Sequence, residues 1–565
     1  MNLPSMIYST SKVKTNQTAF GGLNHSESAS DGDLYDMRNL ASDSHPFLAP
    51  RSRRYQVCER TDISNLVTVG NVLYFMQGST LCRSATARET ANGNSLDWMA
   101  VVEELVTVSG LVSDIIVMGK RLVLTPAMQV YDTETGELRS VGASYSGGIS
   151  VTDGKLYGET ASKNRLTISS TWESMGFRVG DGVNISIVNS SSTEVFSGSA
   201  VIRAIDGTSA DFNEDSFAGL SGGYGGTITR DAPPISYLLV CDNRLFGCGG
   251  NTVWASALGD PFNWYVYDGI STDAWSVETE DSGEFTGCCE FLGYPYFFKA
   301  DAIYKLYGTS AMEYQLSKTN AFGVKEGASG SLAAVGSTLF YLSPAGVCAY
   351  SGGYPTVILP PEQLGGYPNS TSQAAATGSK YYLKLWLTAE AGANGLTDDI
   401  GLFVYDVQRG LWHKEDGTVT PYVESGWPGT RQRNLYGIAK NGIWLMGTPA
   451  FTMSESEQGA QIIGHREDSV QSFAEFGYAF HDTTNQKQLF KVTVRLQVEE
   501  GARIKISASY DDSPYRIVFE TKSQSRQTLS IPIRPKKCDR YRLKIEGIGD
   551  YKIYAITKEY SVGGK

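Results

Sequence analysis

The sequence lacks the residue spacings that build metal and disulfide sites. Its 565 residues include only eight cysteines and five histidines. No cysteines form a C-x-x-C pair, and no two histidines lie four residues apart with a glutamate between them. Zinc sites depend on such spacings, and a disulfide scaffold needs much denser cysteine. We therefore expect no metal site, and we expect most of the cysteines to be small buried hydrophobes.

Long apolar runs are also missing. The best stretch, residues 106–124, is broken by Asp114, Lys120 and Arg121, so it does not qualify as a membrane-spanning helix. The first residues contain no basic segment followed by an apolar one, which a secretory signal would require. We expect a soluble protein that is made in a cytosol and does not insert into a membrane.

Catalytic motifs are equally scarce. No glycine-rich phosphate loop of the Walker or Rossmann type occurs. Gly219-Leu-Ser-Gly-Gly223 has the letters of a nucleophile elbow, but it has neither the preceding buried strand nor the following helix. Thr279–Phe285 is close to the Asp-box turn of sialidase-type propellers, although it occurs once and lacks the tryptophan. We predict no catalytic, cofactor-binding or metal-binding residue, no cofactor and no enzyme activity.

Basic residues are outnumbered by acidic ones. The chain has 48 Lys and Arg against 60 Asp and Glu, a net charge of −12. Proteins that coat duplex DNA depend on Lys and Arg, so this balance argues against such a role but allows a wall past which DNA slides. Two segments, Arg51–Arg54 and Arg534–Arg542, concentrate positive charge. Each is either an interaction surface or a solvated turn.

What the chain has in abundance is glycine, with 61 residues, and aromatic residues, with 32 Tyr, 22 Phe and nine Trp. A short apolar strand, a tight turn and a second strand rich in Leu, Tyr or Phe recur along it. The turns lie at Gly70, Gly119, Asp153, Asp242, Gly293, Gly336, Gly378 and Asn441. Several steps between them are near the roughly 40–50 residues of a four-stranded propeller blade.

Such hairpins recur in any large antiparallel protein, but their spacing favours a radial arrangement. Sheets stacked radially bury the apolar faces that a single hairpin leaves exposed. The sequence therefore predicts an all-β protein with a β-propeller of six to eight blades, seven preferred. The propeller covers about residues 65–448.

Two segments depart from the repeat. Val179-Gly-Asp-Gly-Val-Asn-Ile185 and the strands after it predict a small β-barrel-like domain inserted in a blade loop. Strict alternation in Phe490–Val498 and Arg503–Tyr510 predicts a C-terminal antiparallel β-sandwich. Helix patterns are nearly absent, and the only helix candidates are Ser95–Val106 and a short piece near Arg88.

The predicted domains follow from these boundaries. Residues 1–64 form an extended N-terminal arm that packs on the propeller or on a neighbouring subunit. The propeller occupies 65–163 and 230–452, and the inserted domain occupies 164–229. A linker at 453–469 leads to the sandwich at 470–565.

Several phrases around turns and strands are distinctive. They are Phe20-Gly-Gly-Leu-Asn24, Leu34-Tyr-Asp-Met-Arg-Asn-Leu40, His45-Pro-Phe-Leu-Ala-Pro-Arg51, Trp254-Ala-Ser-Ala-Leu-Gly-Asp-Pro-Phe-Asn-Trp264 and Cys538-Asp-Arg-Tyr-Arg-Leu-Lys-Ile-Glu-Gly-Ile-Gly549. Taken together, they resemble the tail nozzle or tail hub proteins of short-tailed bacteriophages, over most of the chain.

The resemblance implies a structural virion protein of the phage tail, made in the cytoplasm of the bacterial host. It implies a homo-oligomer, a hexameric ring below the portal and adaptor that lines the DNA exit channel. Its outer surfaces would offer docking sites to tail fibres or spikes. DNA would pass transiently and without sequence-specific binding, because an acidic wall repels phosphates.

Two other functions remain open from the residues alone. One is a carbohydrate-binding or carbohydrate-cleaving propeller that acts on bacterial surface glycans. In that case the side chains stacked on sugars would be Trp254, Trp264, Trp386, Trp412 and Trp444. The other is a receptor-binding or capsid-decorating protein of the same particle.

Overall fold

The computed structural model describes most of the chain. The described residues are 12–26, 29, 32–70, 72–84, 102–153, 164–212, 216–267, 269–364, 367–388, 398–426, 433–446, 467–479, 484–521 and 525–563. The chain forms two compact units. Unit 1 comprises Met1–Ile63, Ala85–Val101 and Gly330–Lys565, and unit 2 comprises Ser64–Ser84 and Val102–Ser329.

Unit 2 contains four antiparallel sheets of four strands each among the described residues. Each sheet is a meander, in which the strands lie side by side in chain order. The strands are β6 (Ile63–Val69), β7 (Val72–Gln77), β8 (Thr80–Ser84) and β9 (Val102–Thr107); β10 (Val112–Met118), β11 (Arg121–Pro126), β12 (Gln129–Asp132) and β13 (Leu138–Ser140); β21 (Tyr237–Cys241), β22 (Arg244–Gly249), β23 (Thr252–Ala255) and β24 (Trp275–Glu278); and β25 (Gly287–Phe291), β26 (Tyr294–Lys299), β27 (Ala302–Tyr307) and β28 (Gln315–Asn320).

Unit 1 contains three further four-stranded antiparallel sheets in its described part. Two are meanders, and the third takes its outer strand, β5, from the N-terminal arm. The strands are β29 (Ala333–Val335), β30 (Thr338–Ser343), β31 (Gly346–Tyr350) and β32 (Thr356–Leu359); β33 (Tyr367–Ala376), β34 (Lys380–Thr388), β35 (Asp398–Asp406) and β36 (Leu411–Asp416); and β37 (Thr420–Gly426), β38 (Arg433–Ala439), β39 (Gly442–Met446) and β5 (Tyr55–Glu59).

Successive sheets pack through their first strands and through shared apolar clusters. In unit 2, β10 contacts β21 and β21 contacts β25. In unit 1, β29 contacts β33 and β33 contacts β37. Apolar side chains fill the space between neighbouring sheets of unit 2, for example Leu122 and Leu124 between the first two sheets. First strands that converge in this way are the arrangement of propeller blades around a hub.

The predicted hairpins are confirmed at seven of the eight turns. The turn at Asn441 joins the second and third strands of its sheet, and the other six join the first and second. The eighth turn, at Asp153, is also predicted to be a blade hairpin, and that prediction is wrong. Its strand pairs along nine residues with a strand that ends at Arg230, and so belongs to a different sheet.

That different sheet has seven strands and lies in unit 2. Its strands are β14 (Ala143–Thr152), β15 (Arg165–Ile168), β16 (Gly182–Val188), β17 (Glu194–Val201), β18 (Ala204–Asp206), β19 (Ser209–Asp211) and β20 (Gly222–Arg230). They lie in the order β17-β16-β20-β14-β15-β19-β18 around a core that includes Trp172, Phe177 and Phe212. Whereas the sequence places the start of an inserted domain at residue 164, this sheet begins at Ala143.

The C-terminal part of unit 1 contains two more antiparallel sheets. The first has the order β1 (Lys12–Gln17), β47 (Tyr551–Val562), β41 (Lys487–Val498) and β44 (Ser525–Pro532), with β45 (Lys537–Cys538) also paired to β41. The second has the order β2 (Leu34–Arg38), β40 (Gln471–Phe476), β46 (Tyr541–Ile548), β42 (Arg503–Tyr510) and β43 (Arg516–Thr521). Each sheet therefore has an edge strand from the N-terminal arm.

Helical structure is minimal in the described residues. It consists of the α-turn Pro361–Leu364 and the 3₁₀ turns Ser42–Ser44, Glu173–Met175 and Ser329–Ser331; β3 (Leu40–Ala41) and β4 (Ala49–Pro50) form a two-stranded sheet. The predicted all-β class is confirmed. In the part of the chain that the structure describes, no helix is long and apolar enough to cross a membrane.

Candidate functional site

The glycine pair at the start of the distinctive N-terminal run holds the arm against β36. The Leu23 amide donates to the carbonyl oxygen of Trp412 at 2.7 Å. A Cβ on Gly22 would lie 2.5 Å from that same oxygen, so only glycine allows this approach. The neighbouring Phe20 ring packs on Phe476 of β40, with centroids 6.1 Å apart. The arm therefore joins the β33–β36 sheet to the C-terminal sheets.

Two arginines of the same arm form a buried ion-pair cluster with three carboxylates. Arg51 donates to Asp416 and Glu467, each at 2.7 Å. Arg54 donates to Glu415 and Asp416, each at 2.8 Å. Both guanidinium groups are almost completely buried. The sequence left open whether these arginines contact phosphate or lie in a solvated turn. The structure supports neither interpretation, because both side chains are buried inside the protein.

The charges in this cluster stabilise one another. Burial alone would raise the pKa of Asp416, but Arg54 and Arg51 outweigh burial and hold that pKa well below its usual range. Hydrogen bonding and attraction to Arg51 likewise outweigh burial and lower the pKa of Glu467. Asp416 and Glu467 are therefore charged at neutral pH, and the cluster acts as a fixed joint.

A buried histidine lies beside this joint. Burial lowers the pKa of His413 to about 4, so its imidazole is neutral at neutral pH. Neither ring nitrogen has a hydrogen-bond partner, and Nε2 is 3.8 Å from Glu415. The ring lines a cavity of about 30 Å³ together with Phe20 and Trp412. A cavity of that size holds one water molecule and no substrate.

In unit 2, the Cys288 thiol of β25 lies near Cys248 of β22 and Asp114 of β10. Part of the Asp114 side chain on β10 is open to solvent. The protein packed around the rest of this side chain raises its pKa to about 6. Burial raises the pKa of the Cys288 thiol well above its usual value, with smaller contributions from Cys248 and Asp114. The Cys289 thiol is shifted in the same direction. Protonated thiols are poor nucleophiles and poor metal ligands, so this cluster lacks an activated group.

The first strands contain no cation. All seven of them, β6, β10, β21, β25, β29, β33 and β37, lack Lys, Arg and His, while Asp114, Glu290 and Glu424 supply negative charge. Recognition of a carboxylate or phosphate uses arginine or lysine. The charge that these strands carry in each unit is therefore negative.

Exposed apolar side chains collect at one end of the unit 2 sheets. We call this set the turn surface; its members are Leu258, Tyr267, Ile270, Leu292, Tyr294, Tyr307 and Met312. They lie in or next to the turn between β25 and β26, the turn between β27 and β28, and the loop between β23 and β24. In antiparallel meanders, these connections share one end of the sheets.

Hydrogen bonds tie these connections together. The Cys241 thiol donates to the carbonyl of Gly293 at 3.6 Å, which joins the turns of two neighbouring sheets. The Ala311 amide donates to Ser271 at 3.5 Å, and the Gly259 amide donates to Asn243 at 2.9 Å. Beside them, Lys305 Nζ lies 3.6 Å from the ring centroid of Tyr294. These contacts link the connections that carry the turn surface.

Leu292 occupies an unfavourable position on the turn surface. It has φ +52° and is followed by Gly293 with φ +78°, the combination of a type I′ turn. Asn or Asp is preferred at the first of these positions, because a left-handed backbone costs other residues about 1–2 kcal/mol. Leu292 nevertheless points its apolar side chain into solvent, with 55% of its surface exposed. An apolar residue where turn chemistry calls for asparagine is the sequence signal that could have revealed this surface.

The other segments singled out from the sequence are structural. Ser221 of the G-x-S-x-G match lies in an exposed turn before strand β20, so the helix of a nucleophile elbow does not follow it. In the Asp-box-like turn, Asp281 accepts hydrogen bonds from Tyr304 and, through its carbonyl, from Lys299. His465 and His481 lie outside the described residues, and His25 and His45 lie in the arm.

The tryptophans proposed to stack on sugars are mostly internal. Trp254, Trp264 and Trp412 are buried, whereas Trp386 and Trp444 are partly exposed. Trp264 ends the distinctive phrase Trp254–Trp264. Next to it, Asn263 accepts a hydrogen bond from the Gly182 amide at 3.0 Å and so ties the β21–β24 sheet to the seven-stranded sheet.

The distinctive phrase Cys538–Gly549 holds the arm strand β2 in place. Arg542 donates to Glu475 at 2.7 Å, and its guanidinium lies 4.0 Å from the ring centroid of Tyr478 and 4.9 Å from that of Tyr35. Such cation–π contacts stabilise a partly buried arginine. Arg542, the last residue of the segment Arg534–Arg542, therefore helps to hold the arm strand β2 in its sheet.

Comparisons with known proteins do not assign the chain to a family. No protein-family model matches it, and no curated protein matches it. Solved structures that are similar include the WD40 domain of Neurospora crassa Pan2, with 8% identity, a TM-score of 0.33 and coverage of 71% of this chain and 97% of that one. The phage phi92 endosialidase has 12% identity, a TM-score of 0.28 and coverage of 75% and 74%.

A third similar structure is the exo-β-1,3-galactanase of Phanerochaete chrysosporium. It has 10% identity, a TM-score of 0.21 and coverage of 57% of this chain and 94% of that one. With similarities of this size, conclusions about function rest on the residues of this chain.

Proposed function

We propose that this chain is a structural subunit of a bacteriophage tail, a nozzle or hub protein without enzyme activity. Its seven four-stranded sheets close into a propeller, and copies of the chain assemble into a ring, a hexamer by the resemblance, below the portal and adaptor. The genome passes through the ring, and tail fibres or spikes dock outside it. The protein is located in the tail of the virion.

The turn surface is the observation that carries this proposal. Soluble monomers rarely expose a continuous apolar patch, and such patches mark contacts with other proteins. Here the patch includes Leu292 in an unfavourable turn conformation and Met312 with 72% of its surface exposed. A sequence that keeps an apolar side chain where asparagine would stabilise the turn is expected to use that side chain in assembly.

The distinctive phrases give the second support. Phe20–Asn24, Arg51, Asn263 and Arg542 all act as joints between sheets, through buried ion pairs, close backbone approach or cation–π contacts. The residues that carry the resemblance are therefore those that hold a rigid scaffold together. Absence of cations on the first strands and the protonated thiols of Cys288 and Cys289 also favour a scaffold over an enzyme.

The acidic balance suits passage of DNA through the ring. With a net charge of −12, the chain repels a phosphate backbone at long range. The clearest positive segment, Arg51–Arg54, has its two buried arginines neutralised by carboxylates. DNA would therefore meet a wall that does not retain it.

Replacing Leu292 by asparagine tests separately how that position affects the stability of the turn and the assembly of the particle. Leu292→Asn should stabilise the isolated chain by up to about 1 kcal/mol, because Asn-Gly suits a type I′ turn. The same change removes an apolar contact from the turn surface, so the variant should be depleted from particles assembled from an equal mixture with the wild type. Mass spectrometry of purified particles and thermal unfolding of the purified chain measure the two effects.

Leu111→Asn is the matched control. Leu111 is also exposed, but it precedes β10 at the opposite end of the sheet. The Leu111→Asn variant should enter particles as efficiently as the wild type does. Equal incorporation of Leu292→Asn and the wild type would contradict the assembly role of the turn surface.

A further inference from the structure

A buried lysine of unit 2 lies against a side-chain amide. Lys299 is the last residue of β26, and only 1% of its surface is exposed. Its Nζ donates a hydrogen bond to Oδ1 of Asn251 at 3.2 Å. Asn251 lies in the turn between β22 and β23 and is partly exposed. The contact therefore joins two neighbouring sheets of unit 2, β21–β24 and β25–β28.

Two further acceptors hold the lysine amine in this position. Nζ also donates to Oγ1 of Thr279 at 3.1 Å and to the carbonyl oxygen of Asp281 at 3.2 Å. Both residues belong to the Asp-box-like turn. That turn is fixed to the turn of Asn251, because the Thr279 amide donates to the Asn251 carbonyl oxygen at 2.8 Å. Backbone and side-chain contacts together therefore keep the amine beside the amide.

The contact brings a nucleophile close to an electrophilic carbon. Cγ of Asn251 is bonded to Oδ1 at about 1.2 Å, so it lies no more than about 4.4 Å from Lys299 Nζ. Groups that are held about 3–3.5 Å apart react as if their concentration were about 10⁵–10⁸ M. A shift of about 1 Å or less brings Nζ and Cγ into that range.

The surroundings of the amine favour its neutral, nucleophilic form. The ring centroids of Phe285 and Tyr304 lie 5.1 and 5.9 Å from Nζ. Burial lowers the pKa of Lys299 and outweighs the attraction of Asp281. A lysine that is desolvated in this way is an activated nucleophile. The side chain of Asn251 is uncharged, so it does not hold the amine in its protonated form as a carboxylate would.

We propose that Lys299 and Asn251 form an isopeptide bond within the chain. The bond between Nζ and Cγ forms, the bond between Cγ and Nδ2 breaks, and Nδ2 leaves as ammonia. Starting from the lysine ammonium, two of its protons leave with Nδ2, so the products are one amide and one ammonium ion. The step consumes no oxidant or reductant. It links two sheets of unit 2 covalently, and it does not depend on the role in the tail.

Mass spectrometry of the purified full chain tests the inference. The intact mass should be lower than the mass of the sequence by one ammonia molecule. Lys299→Met and Asn251→Ser should each have the full mass of their own sequence. Trypsin should not cut after Lys299, because the amine is acylated. A glutamyl endopeptidase cuts between the two residues, at Glu278 for example, and should leave the two fragments joined.

Lys384→Met is the matched control. Lys384 is also buried, but it donates to the hydroxyl of Thr420 at 2.7 Å, which has no carbonyl carbon to attack. This variant should still lack one ammonia.

A wild-type chain of full mass would overturn the inference, because Lys299 would then be an ammonium held by three acceptors. Loss of ammonia with normal tryptic cleavage after Lys299 would also overturn it, since that result indicates a cyclic imide at an asparagine. Persistence of the loss in Lys299→Met would have the same meaning.

Discussion

Two neighbouring arginines of the N-terminal arm make very different contributions to stability. Arg54 is buried against Glu415 and Asp416, whereas Arg53 pairs with Asp550 at the surface. Removing one partner of a buried cluster leaves uncompensated charge inside the protein, whereas a surface pair contributes little.

Arg54→Met should therefore lower the free energy of unfolding by about 3–5 kcal/mol. Arg53→Met, the control next to it, should cost less than about 1 kcal/mol. Urea unfolding followed by tryptophan fluorescence measures both values. Equal effects of the two substitutions would mean that the buried cluster is not the joint described above.

The buried imidazole of His413 makes stability depend on pH. Its pKa is lowered to about 4 in the folded protein, below the usual value of 6.5. The folded state therefore resists protonation, so the stabilising contribution of His413 is complete above pH 6.5 and is lost as the pH falls towards 4. The charged groups that affect it are Glu415, Lys380, Asp43 and Asp406.

Between pH 6.5 and 4, this contribution corresponds to about 3 kcal/mol. Protonation of Asp114, whose pKa is raised to about 6, acts in the opposite direction in the same window. The wild type should therefore lose about 3 kcal/mol more stability than His413→Gln between pH 6.5 and 4. Thermal unfolding of both proteins at pH 7, 5.5 and 4 provides the comparison. A difference in melting temperature between the two proteins that stays the same across this range would contradict the buried neutral state of His413.

At the residue scale, turn positions were predictable and partners were not. Gly70, Gly119, Gly293 and Gly336 follow from local chemistry, because a tight hairpin needs residues that tolerate a positive φ. The carboxylate partners of Arg51 lie more than 360 residues away along the chain. No local pattern indicates such a pairing. The sequence allowed a surface role for Arg51–Arg54, whereas the structure buries Arg51 and Arg54.

At the element scale, strand β5 ties the arm to the last sheet of unit 1. It pairs with β39, and Gly442 opposes Glu59 in the register. Gly442 has φ +142°, and a Cβ there would lie 1.8 Å from the carbonyl oxygen of Cys58. Only glycine allows the two strands to pair this closely.

Gly442→Ala should detach β5 or destabilise unit 1 by several kcal/mol, since the clash involves backbone atoms that cannot move aside. Hydrogen exchange at Val57 and Cys58 measures the loss of the ladder. Gly353→Ala is the control, because a Cβ there meets no atom within 4 Å. Unchanged protection of β5 in Gly442→Ala would contradict this account of the closing strand.

Strands with strong alternation were predictable, and strands that depend on distant partners were not. Arg503–Tyr510 is the strand β42 with the bounds expected from its alternation. The arm strands β1 and β2 were missed because their pairing partners lie near the C-terminus. The helix predicted for Ser95–Val106 is wrong in its described part, because Val102–Thr107 is strand β9 and Leu105 packs between sheets. Tertiary packing there overrides helix propensity.

At the scale of the whole molecule, repetition was visible in the sequence and the division of the chain was not. Several hairpins spaced by roughly 40–50 residues indicated repeated four-stranded sheets, because each must bury its apolar faces against a neighbour. The turn surface could not be predicted from the sequence, because its seven members come from three separate connections. Candidate function depends on that surface, and so the function could be proposed only after the connections were seen together.

The most direct test of the structural role is cryo-electron microscopy of intact particles that carry this chain. The account predicts a ring of copies of the chain centred on the tail axis below the portal, with the turn surface of each copy buried against another protein. Copies scattered over the capsid, or a turn surface left in solvent in the particle, would contradict it.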